Sequence, residues 1–116
     1  GSARLARWVG KGQAMRLAMG FPLRGEEAYR IGLAQWLVAH EQVQAQAMEV
    51  AEHVASLPPL ATRMVKESLA HGMNTPNIGD ASLTDLYRFM VLELTEDKSE
   101  GHDAWREKRT PSFQGR

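Results

Sequence analysis

The sequence predicts a mostly α-helical chain, with six or seven helices and at most one short strand at about Leu33 to Ala39. Three observations lead there. Apolar residues recur at helical spacing along most of the chain. Glycine, proline and asparagine fall mostly between those stretches, with Gly101 inside the last one. Only Leu33-Ala-Gln-Trp-Leu-Val-Ala39 combines an aromatic and a β-branched residue in a short run with a glycine before it.

The elements follow in order. Leu5, Trp8 and Val9 begin a helical stretch that Gly10 and Gly12 punctuate, and a second carries Ala14, Met15, Leu17, Ala18 and Met19. Gly20 is placed to cap it, and Phe21-Pro22-Leu23 reads as an extended connector. Gly25 to Gly32 reads as a short helix whose first-turn acids, Glu26 and Glu27, suit the helix dipole. After the strand candidate, Glu41 to Ser56 is a helix with Val43, Ala47, Val50, Ala51 and Val54 on one stripe. Pro58-Pro59 ends it and opens a helix to about His71, with Leu60, Met64, Val65 and Leu69 inward. Gly72 to Asp80 reads as a loop and Ala81 to Leu94 as a helix. Thr95 is placed to cap a last helix reaching about Arg109, with Pro111 to Arg116 as a short tail.

Composition excludes several classes. With 116 residues the chain is one domain or a piece of one. Hydrophobic residues at 43% and charged residues at 24% exclude a disordered tail. The absence of cysteine excludes disulfides and thiolate metal sites. Fourteen basic residues balance fourteen acidic ones, which argues against a nucleic-acid partner. No run of about 20 apolar residues and no secretory leader are present, so a cytoplasmic chain with no membrane association is expected.

The chemical constellations are sparse. His40, His53, His71 and His102 do not pair at i, i+4, so no metal site is expected. Glu26 and Glu27 point about 100° apart on a helix and cannot share a proton. Glu49 and Glu52 read as a solvated face, Gly10-Lys-Gly12 as a break between helices, and no spacing favours a Ser–His–acid triad. Phe89 stands out. On the Ala81–Leu94 helix, Leu83, Leu86, Tyr87, Met90 and Leu94 form one stripe, and Phe89 lies about 100° outside its middle. Either the helix is buried on two sides or Phe89 meets another subunit or a ligand. Arg106, Lys108 and Arg109 either serve the helix dipole or bind a phosphate.

The order of short motifs resembles the crotonase superfamily, the enoyl-CoA hydratase/isomerase enzymes. Arg4-Leu-Ala-Arg7-Trp-Val-Gly10-Lys is similar to the family's RLPRxVGK, followed by Ala14-Met15 and Gly20. Glu26-Glu27-Ala28 and Ile31-Gly32-Leu33 match its A-x-x-A-x-x-x-GLV stretch, and Pro58-Pro59-Leu60-Ala61 with Val65-Lys66-Glu67-Ser68 its NPP-x-A helix. Thr95-Glu96-Asp97, Glu100-Gly101, Ala104, Glu107-Lys108-Arg109, Pro111, Phe113 and Gly115-Arg116 match its closing motif. Ala6 replaces the usual proline and Trp105 the usual phenylalanine.

The resemblance runs along the whole chain but reaches only the C-terminal part of a family member. It therefore implies the C-terminal helical portion of a crotonase fold. Residues 1–40 would be the end of the core, and 41–116 the helical region that covers CoA and forms a trimer or dimer of trimers. The implied activity is hydration or isomerisation of a 2-enoyl-CoA in fatty acid metabolism, with no cofactor of its own because CoA is part of the substrate. No residue here matches the family's catalytic glutamates or oxyanion-hole amides, so no catalytic residue is named and this chain alone is expected to be inactive. The resemblance implies CoA contacts at Phe89 and Lys108. The alternative is a non-catalytic helical module that associates with itself.

Overall fold

A computed structural model describes residues 2–116, with side chains from residue 4 onward. It contains α1 (Ser2–Ala18), α2 (Gly25–Arg30), a 3-10 turn (His40–Gln42), α3 (Val43–Ala55), α4 (Pro59–Asn74), α5 (Ile78–Glu93) and α6 (Glu96–Glu107). The chain divides into two compact units, residues 1–46 and 47–116.

In the first unit, α1 breaks at Gly10, where φ is 79°. That value is open to glycine and costly for other residues, so the two expected helical stretches meet at the residue that separates them. Gly20 and Gly32 end their helices in the same way. Each has a positive φ, and the two amides that follow each helix return to its last turn: Gly20 to Leu17 and Phe21 to Arg16, Gly32 to Tyr29 and Leu33 to Ala28. This is the Schellman arrangement that a glycine just past a helix favours. Arg16 on α1 pairs with Glu27 on α2 at 2.9 Å.

One expectation fails here. Residues 33–39 form turns and extended backbone, and no strand occurs among the described residues. A strand exists only through a ladder to a partner, and local β-propensity does not supply one. The helix expected from about Glu41 is present, opening as a 3-10 turn at His40–Gln42 and becoming α-helical at Val43.

In the second unit, the loop expected at Gly72 to Asp80 shrinks to residues 75–77. Helix α4 continues through Gly72 to Asn74, and Asn77 caps α5 by accepting the Gly79 amide at 2.9 Å. A helix end tolerates Gly and Asn at little cost, and Asn is among the best N-caps. Thr95 caps α6 as expected, accepting the Lys98 amide at 3.2 Å.

The inward face of α4 follows its apolar stripe only in part, with Leu60 and Met64 half-buried as expected, and that of α5 does not follow its stripe. On α4, Val65 and Leu69 are exposed, while Ala61, Met64, Ser68 and His71 are half-buried. On α5 the covered residues are Ala81, Thr84, Arg88 and Leu92. Arg88 reaches across to the Ser68 hydroxyl at 3.2 Å. The predicted stripe on α5 lies about 150° from this face at 100° per residue. Its members are open to solvent, Leu86 at 52% and Leu94 at 88%. The two helices thus meet through small and polar side chains together with Met64 and Leu92, and turn Leu69, Leu83 and Leu86 outward. Among the described residues, Ala14, Ala81 and Ala104 are the only buried hydrophobic ones, and no large side chain is fully buried.

Candidate functional site

A groove of about 590 Å³ opens within the second unit between the start of α4, the end of α5 and α6. Its walls are mostly apolar: Pro58, Leu60 and Ala61 from α4 and the residue before it, Phe89 and Leu92 from α5, Trp105 from α6, and Phe113 from the segment after α6. Phe89 reaches it from the flank of α5, about 95° from the packed face and between that face and the outward stripe. The side chain is 56% exposed, so a helix buried on two sides does not account for it. Lys98 also lines the groove, with Nζ 5.9 Å from the Phe89 ring centroid. That distance is within reach of a cation–π attraction, although Lys98 also pairs with Glu93.

The segment after α6 is held against the helix by two carboxylates. Asp97, at 5% exposure the one buried charged residue among those described, accepts the Gln114 amide at 2.6 Å and the Gly115 amide at 2.8 Å. Its own amide donates to the Arg116 carbonyl at 3.1 Å. Glu100 accepts both Arg109 Nη groups at 2.6 and 2.8 Å and the Ser112 amide at 2.7 Å.

These bonds favour the ionised carboxylate. The Arg109 guanidinium foremost, then the Ser112 amide, holds the Glu100 carboxyl down at about 2 instead of the ordinary 4.5. A depressed folded value means the Glu100 contribution is complete above about pH 4.5 and is lost as pH falls toward about 2. The Ser112 amide-proton shift, followed by NMR, should therefore titrate near pH 2. A midpoint at the ordinary glutamate value would contradict the bonding.

The basic cluster at the end of α6 resolves into different roles. Arg106 pairs with Asp103 at 2.6 Å, and Arg109 with Glu100 and Glu107. Lys108 makes no ion pair among the described residues. It is exposed, lies outside the groove lining, and adopts φ 56° and ψ 38°. Its amide returns to Trp105 and that of Arg109 to Ala104, so Lys108 occupies the Schellman position held by glycine at residues 20 and 32.

Of the two residues for which the resemblance implies CoA contacts, the structure puts Phe89 in the groove and Lys108 at a helix end beyond it. Nothing in the sequence signalled that Lys98 lines the groove, and Asp97 entered only as part of the closing motif. The available signal was Glu96-Asp97 after a capping threonine, which looks the same whether the acids face water or a returning segment.

No group of three or more His, Asp or Glu side chains that could hold a metal ion occurs among the described residues, and no described helix is long and apolar enough to cross a membrane.

Known proteins are similar to this chain in sequence and in fold. The enoyl-CoA hydratase/isomerase family model matches residues 1–116. A probable enoyl-CoA hydratase of Mycobacterium leprae is 34% identical over 97% of this chain and 44% of its own length. The 2,3-dehydroadipyl-CoA hydratase of Escherichia coli is 32% identical over 100% of this chain and 46% of its own. The crystal structure of an enoyl-CoA hydratase/isomerase from Mycobacterium paratuberculosis superposes with a TM-score of 0.90 at 30% identity, covering 99% of this chain and 46% of that one. The chain thus spans about half the length of the relatives it matches, in keeping with a resemblance to one part of the family's fold. Motif order, helix arrangement and full-length match to the family model agree: this chain belongs to the enoyl-CoA hydratase/isomerase family.

Proposed function

We propose that these 116 residues are the CoA-covering and subunit-contacting part of an enzyme that hydrates or isomerises a 2-enoyl-CoA. One observation carries the reading. Helix α5 turns its leucine stripe away from its own packed face and leaves Phe89 exposed between the two. A continuous uncovered apolar face marks a contact with something else, and an aromatic at its edge offers a flat surface for stacking.

In this reading Phe89 stacks on the adenine of CoA. Lys108, the cation of its cluster with no ion pair among the described residues, meets the 3′-phosphate by a charge-assisted hydrogen bond. The division of labour follows. Polarising the thioester carbonyl needs preorganised amide donors, and moving the proton and water needs positioned carboxylates. No residue here matches the family's groups for either task. The chain supplies binding and assembly, and it does not turn over crotonyl-CoA by itself. Residues 1–40 would belong with the core and 41–116 with the trimer-forming helices of a cytoplasmic enzyme.

The exposed apolar residues also favour a second reading, a helical module whose role is self-association. Calorimetric titration separates the two. CoA should bind, 3′-dephospho-CoA should bind about tenfold more weakly, and Phe89→Ala should weaken both. Absence of heat from either ligand, with sedimentation that depends on concentration, would overturn the CoA assignment and select the association module.

A further inference from the structure

The segment 110–116 has no secondary structure of its own. Two residues of α6 nevertheless fix its backbone at three amides: Glu100 takes that of Ser112, and Asp97 those of Gln114 and Gly115. The Asp97 amide closes the arrangement by donating to the Arg116 carbonyl. Between the two carboxylates lies Phe113, which lines the groove. It packs over Gly101, where an added Cβ would stand 3.7 Å from its ring. At the far end, Gly115 has φ 75° and lies against Pro59, with an added Cβ 3.7 Å from that ring. The exposed Arg116–Glu96 pair adds little.

We propose that residues 110–116 are a latched strap and that Asp97 is a positioning residue acting through it: Asp97 holds Phe113 as a removable wall of the apolar groove, and releasing the latch opens the groove. Three features of the geometry support this. The strap is tied by two carboxylates and one main-chain bond and not by a ladder, so few bonds hold it. The tie at Asp97 is buried and charge-assisted, which makes it the strongest of them. Asp97 and Phe113 both line the groove, so the latch and the wall it holds share one space. The strap's role does not depend on which ligand the intact protein takes.

The test compares the full chain with its Asp97→Asn variant, which keeps the volume but loses the charge and one acceptor. Hydrogen exchange at Gln114 and Gly115 should accelerate about tenfold or more, while the last turn of α6 keeps its protection. The nuclear Overhauser contact between the Phe113 ring and Gly101 should disappear. Anilinonaphthalene sulfonate, a probe of apolar grooves, should bind more tightly to Asp97→Asn and to Phe113→Ala by a similar factor. The double variant should gain no more than either single one. If Asp97→Asn cannot be obtained as a folded chain, Glu100→Gln releases the strap from its other end and should give the same dye response in smaller measure. Three results would each overturn the proposal: unchanged exchange at the strap amides, loss of α6 protection together with the strap, or additive dye responses. The second of these would make Asp97 a helix-start acid and nothing more.

Discussion

Replacing Ala104 by leucine should destabilise the second unit by about 3 kcal/mol, the upper end of the usual cost of overpacking. Ala104 is 1% exposed, and it follows Asp97 and Gly101 at helical spacing on the inward side of α6. All three positions carry short side chains or none because this side faces packed structure and the returning strap. A leucine there has no space to enter without moving backbone. Trp105, the next residue, is 83% exposed, and Trp105→Ala should stay within about 0.5 kcal/mol. Urea unfolding followed by circular dichroism at low protein concentration reads both. Equal midpoints for the two variants would mean that α6 is not docked through this face.

Lys108→Gly should move stability and binding in opposite directions. A lysine at φ 56° carries a conformational cost that glycine does not. The substitution should therefore raise stability by about 1 kcal/mol. In the proposed complex it removes the cation that meets the 3′-phosphate, so CoA affinity should fall about tenfold while that for 3′-dephospho-CoA stays unchanged. A more stable variant with undiminished CoA affinity would release Lys108 from any ligand role. A less stable variant would mean that its side chain contributes packing that outweighs the backbone cost.

Local features of the fold were legible from sequence wherever local chemistry decides them. Gly10, Gly20 and Gly32 mark breaks because each adopts a positive φ. Thr95 marks a helix start because its hydroxyl reaches the Lys98 amide. What periodicity could not supply was the identity of the covering surface. It located the stripe Leu83, Leu86, Tyr87, Met90 and Leu94 correctly as a face, yet α5 packs on α4 through Ala81 and Arg88 instead. Amphipathicity records that a face is apolar and leaves open what lies on it. Residues 33–39 failed for a related reason, since strand propensity has no meaning without a partner. At the site, Phe89 was legible because it breaks the pattern of its helix. Asp97 was not, because its partners, Gln114 and Gly115, lie well beyond its own helix.

The two carboxylates of α6 have a further consequence, for the solution behaviour of the chain. An extended segment bearing a phenylalanine, next to so many uncovered apolar side chains, offers a neighbouring molecule a place to begin intermolecular β-pairing. Such pairing needs a row of free amide donors. In residues 110–116, Pro111 has none, and those of Ser112, Gln114 and Gly115 are already taken by Glu100 and Asp97. While the carboxylates hold, the segment has little to offer a growing fibril edge, and the apolar faces are left to seek helical partners instead.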